Sequence, residues 1–91
     1  MTQQYIVGEF TSLLADLQPA PGEWLVAVDD LRREVESSAV RMLPPLADKA
    51  MNLTDTICWA ALEQGDVGGF CRYATTAVAL REFTENAGLL P

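Results

Sequence analysis

The sequence predicts an all-α protein, a small antiparallel four-helix bundle made of two helical hairpins. Three observations carry that prediction. Apolar residues recur at steps of three and four along most of the chain. Proline- or glycine-bearing connectors interrupt this periodicity, and no stretch alternates with a two-residue period for long enough to make a strand. Short connections between such helices favour antiparallel neighbours. The 91 residues are read as a single helical domain spanning 1–91, a length that buries roughly two-thirds of the surface its unfolded form exposes.

The first helix is expected to start after Thr2, because Ile6, Phe10, Leu13 and Leu17 step by four, three and four along one face. It ends before "QPAPG", where Pro21 suits the first turn of a second helix. That second helix carries Trp24, Val28, Leu31, Val35 and Met42 on one stripe with Ser38 as a polar intrusion, and is expected to be the longest. "RMLPPLADKAM" stops it, since Pro44 disfavours helix at Leu43 and Pro45 lacks an N–H. The third helix restarts at the prolines and presents Leu46, Ala50, Leu53, Ile57 and Ala61, flanked by Ala47, Met51, Cys58 and Leu62. Gly65 supplies a left-handed residue and Asp66 a cap for the fourth helix. There Val67, Phe70, Cys71, Ala74, Ala77 and Val78 share one side, while Leu80, Phe83 and Ala87 sit around the axis, so the buried face is expected to rotate. Gly88 ends that helix and a short tail follows.

Thirteen acidic against six basic residues give a net charge of −7. That charge repels phosphate backbones and anionic lipid, which argues against nucleic acid and membrane as partners and favours solubility or a basic partner. No apolar run approaches the ~20 residues of a membrane span, and "MTQQYIVGEF" has no basic segment leading into an apolar one. Two cysteines without CxxC spacing fit a reducing compartment, so the expected location is cytoplasmic.

In a hairpin turning near Gly65, Cys58 lies level with Tyr73 and Cys71 with Ala60, which brings the thiols near one another. Two thiols cannot complete a tetrahedral zinc site, and the sequence holds no histidine. Both cysteines are therefore read as small core residues, with a redox-sensitive pair as the alternative. The lack of histidine also removes Ser-His and Cys-His nucleophiles and the Glu-x-x-His di-iron pattern of helical bundles. "GDVGG" lacks the spacing and Lys-Ser/Thr of a phosphate loop and reads as helix punctuation. Asp29, Asp30, Asp48, Asp55, Glu82 and Glu85 show no convergence in sequence; Asp29 with Arg33 and Arg32 with Glu36 have the spacing of surface ion pairs.

"LRREVESSAVRML", Leu31 to Leu43, resembles the first-helix pattern of the small helical chorismate mutases, with Leu31-Arg32 leading an apolar-periodic helix and Arg41 placed for a substrate carboxylate. Pro44-Pro45 interrupts where that family's helix continues, and its downstream lysine and glutamine have no counterparts placed here. What the resemblance implies is a small helical enzyme, ranked third among the functional readings.

Three features point elsewhere. Trp59 projects among Asp48, Asn52, Asp55 and Glu63, opposite the stripe of Ile57, so it is covered either by the first helix or by a partner. "YATTAVAL" offers a small-residue surface beside Leu80 and Phe83, suited to two neighbours or to a symmetric dimer. Arg81 continues the line of Phe70 and Ala74, as a snorkelling or partner-binding cation. The expectation is a non-catalytic, cofactor-free protein-binding module, a homodimer or an adaptor, regulator or inhibitor. Its contact residues are Trp59, Asp55, Leu80, Phe83 and Arg81, and its partner is a second copy or a basic protein. The second reading is a bundle holding an apolar small ligand between its helices.

Overall fold

The computed structural model describes residues 3–17 and 22–89, so the expected connector role of Gln18–Pro21 and the end of the tail lie outside the described residues. Four helices follow in order: α1 (Gln3–Ala15), α2 (Gly22–Ser37), α3 (Leu43–Glu63) and α4 (Val67–Asn86). Each packs on its sequence neighbour and α1 closes the ring against α4, with the α3–α4 hairpin forming the most extensive contact. This is the antiparallel four-helix bundle the periodicity predicts. No helix is long and apolar enough to cross a membrane among the described residues.

The core takes Phe10, Leu14 and Leu17 from the first helix and its following turn, Val28, Leu31 and Val35 from α2, and Leu43, Leu46, Ala50 and Ile57 from α3. Phe10 meets Phe83 of α4 edge-on, with centroids 5.7 Å apart. A buried Leu89 folds back under the end of α4.

The second helix ends five residues before Met42. Ser37 and Ser38 donate their hydroxyls to the carbonyls of Arg33 and Glu34, so the polar interruption in the stripe is the helix end itself. Val40–Met42 form a short 3₁₀ turn with Met42 exposed, and α3, at 21 residues, is longer than α2 at 16. Leu43 is helical (φ −66°, ψ −38°) despite preceding a proline. Its side chain is fully buried, which outweighs the steric bias. The prolines fall in the first turn, where missing N–H groups cost nothing.

The turn from α3 to α4 follows the sequence prediction. Gly65 takes φ +77° and the Asp66 carboxylate accepts the N–H of Gly69 at 2.9 Å. Gly88 likewise takes φ +70° after α4.

The interior face of α4 does not rotate. Gly69, Tyr73, Thr76, Leu80 and Phe83 are buried at steps of four, three, four and three, one straight stripe. The two threonines Thr76 and Thr84 are admitted because each hydroxyl donates to a carbonyl of its own helix, that of Arg72 at 3.3 Å and of Arg81 at 2.8 Å; Thr54 of α3 does the same to Ala50 at 2.7 Å.

Candidate functional site

The inward stripe of α4 leaves a second, outward one. Val67, Cys71, Ala74 and Val78 recur at steps of four, three and four on the opposite side of the helix. Val67 and Val78 are 63% and 59% exposed, Cys71 is exposed, and Ala74 is half-buried. Arg81 extends this side, exposed and without an ion pair among the described residues.

Trp59 stands on the outer ridge of α3, 61% exposed, so the first helix does not cover it. Its ring instead leans on Phe70 of α4, with centroids 6.2 Å apart and planes at 58°. On its other side lies a groove of about 510 Å³ lined by Trp24 of α2 together with Asn52, Asp55, Thr56, Trp59, Ala60 and Glu63 of α3. Asp55 and Glu63 lie one helical turn before and after Trp59 on the same ridge, which places a carboxylate at each end of the indole. Both tryptophans of the sequence therefore face one groove, and no cationic side chain lines it. The Nε1–H of Trp24 is buried without an acceptor among the described residues.

Of the five residues expected at a binding surface, Trp59 and Asp55 come together at this groove, and Arg81 lies apart on the outward side of α4. Leu80 and Phe83 do not belong to the surface. Leu80 is fully buried and Phe83 is 9% exposed against Phe10, so both are core. They look offset only when Val67, Cys71 and Val78 are taken as the inward side.

The cysteines also differ from expectation. Cys58 is buried and donates its thiol to the Phe70 carbonyl at 3.6 Å, whereas Cys71 is exposed rather than core; both are free thiols. Burial pushes the Cys58 thiol up from its ordinary 9.0, with smaller contributions from the charges of Asp55 and Cys71. A buried thiol with a raised value is a poor nucleophile at neutral pH.

Among the acids, Arg32 turns back to Asp29 at 3.1 Å rather than on to Glu36, and Lys49 of α3 reaches Glu34 of α2 at 3.1 Å. Among the described residues, no three cysteine or carboxylate side chains converge as a metal site would require. The segment resembling the chorismate-mutase helix is broken after Ser37, which puts Arg41 in the exposed 3₁₀ turn.

Sequence reasoning missed Trp24 and Phe70 as parts of this surface. Spacing alone puts Trp24 on the α2 core stripe. Its position in the first turn of the helix, next to a proline-rich connector, was the available signal, because the end of a stripe is where burial is least complete.

Fold and site together define an acidic all-α bundle with an open aromatic groove on α2 and α3 and an apolar outer stripe on α4. No family model matches the chain, and no curated protein or solved structure matches it significantly.

Proposed function

We propose that this chain is a small acidic helical module that works by binding protein, self-associating as a homodimer and serving as an adaptor, regulator or inhibitor rather than a catalyst. The observation that carries this reading is the outward stripe of α4. Val67, Cys71 and Val78 are small apolar side chains exposed along one side of α4, with the half-buried Ala74 between them. Small residues let two helices approach closely, and a two-fold axis across Ala74 pairs the strip with its own copy. That antiparallel arrangement sets Arg81 of one copy against the Asp66 end of the other, which gives this free cation an acidic neighbour. Trp59 and its groove stay outside the pairing and remain open to a different protein.

Val78→Asp tests the reading. It places a charge at the C-terminal end of the strip, at an already exposed position, so the monomer folds and the dimer is lost in sedimentation velocity. A wild-type chain that stays monomeric at high concentration removes the homodimer.

A further inference from the structure

We infer that the Trp24–Trp59 groove takes an arginine side chain from a basic segment of a partner protein. The inference rests on the protein-binding reading above and adds the chemistry of the partner.

The groove combines two surfaces that a guanidinium uses at once. An indole 61% exposed on the ridge of α3 offers its π face, which attracts a cation most strongly among aromatic rings. Phe70 packs against that ring with centroids 6.2 Å apart, which restrains the indole before a partner arrives. Asp55 and Glu63, one turn to either side, are planar acceptors for the forked N–H groups of a stacked guanidinium. An ammonium matches only the charge.

The surrounding field has the same sign. The chain carries a net charge of −7, and α3 ends at Glu63 with no basic residue in its last turn, leaving its negative pole uncompensated beside the groove. The cation nearest in sequence along α3, Lys49, is engaged by Glu34. A second copy docked groove to groove would set four carboxylates together, which disfavours this chain as the occupant. Asp55 and Glu63 are eight residues apart, about 12 Å along the helix, so a segment with more than one arginine reaches both.

Because the sequence has two tryptophans and both line the groove, their indole N–H resonances report on it directly. The experiment titrates an N-acetylated hexa-arginine amide into the full chain and follows both signals by ¹H–¹⁵N NMR, with hexalysine amide as the comparison. Saturable shifts of both indoles are expected, with tighter binding of arginine than of lysine. Trp59→Ala and the double variant Asp55→Asn/Glu63→Gln each weaken binding about tenfold or more, the loss of roughly one charge-assisted or cation–π contact. Glu36→Gln/Glu85→Gln removes the same charge elsewhere and leaves affinity within about twofold, as additivity at distant sites requires. Motionless indoles, equal binding of lysine, or equal weakening by the two double variants would overturn the inference. Sedimentation of the same samples keeps the two readings apart: an empty groove on a dimer refutes only the arginine site.

Discussion

The two faces of α4 make the most instructive comparison in the molecule. Its inward face is built from Gly69, Tyr73, Thr76, Leu80 and Phe83, with Thr84 beside them, and is almost wholly excluded from solvent. Its outward face carries Val67, Cys71 and Val78, which are at least as apolar and stand in water. Apolarity therefore does not tell inside from outside here. What does is which side meets α1 and α3, and whether each buried hydroxyl can be satisfied within its own helix. Val67 and Val78 stand exposed on an otherwise acidic protein, and pairing with protein is the physical reason proposed for them above.

The comparison breaks first on large-to-small substitutions. Phe83→Ala should cost about 3–5 kcal/mol and Leu80→Ala about 2–5 kcal/mol in urea unfolding, while Val78→Ala stays within about 0.5 kcal/mol. These values are for the monomer, so all three are measured below the dimer's concentration range. If Leu80→Ala proves as mild as Val78→Ala, the two faces have been assigned the wrong way round.

A smaller effect lies at the start of the inward face. A Cβ on Gly69 would collide with the Asp66 carboxylate, whose Cγ lies 2.7 Å from that position. Gly69→Ala therefore expels the cap and should cost about 1 kcal/mol, as Asp66→Ala does. The double variant should cost little more than either single one, because both remove the same interaction. Strict additivity in thermal unfolding would separate the glycine from the cap.

How far the sequence could be read follows the same division. Gly65, Asp66 and Gly88 were legible because a left-handed turn or a cap depends on the residue at that position, and the structure has each where the sequence puts it. Helix existence was equally clear from periodicity. The inward side of α4 was not legible, because Gly69 and Thr76 do not advertise burial and Val67 and Val78 do. The end of α2 was hidden by one more apolar residue, Met42, arriving in phase after a break. The groove was half legible. The acids around Trp59 follow from helical spacing, but Trp24 reaches it from another helix, and only the packing of α2 on α3 brings the two together.

The thiols sharpen the comparison with the smallest energetic effect. Cys71 on the outward side should be alkylated by iodoacetamide at neutral pH well before Cys58, which reacts only as the chain opens. The folded Cys58 thiol holds its proton more tightly than the unfolded one, so its contribution to stability is complete below pH 9.0 and is lost as pH rises from there through the higher folded value. Cys58→Ala should flatten this alkaline decline, read as the urea midpoint against pH. Equal alkylation rates for the two thiols in the native chain would contradict the burial of Cys58 and the exposure of Cys71.

Sedimentation equilibrium of the full chain at several concentrations, beside Val78→Asp, tests the central claim that the outward face of α4 is a protein-binding surface. A reversible dimer in the low micromolar range that Val78→Asp dissociates, with its helical circular dichroism unchanged, is the predicted result. A wild-type chain that remains strictly monomeric, or a dimer indifferent to Val78→Asp, would contradict it.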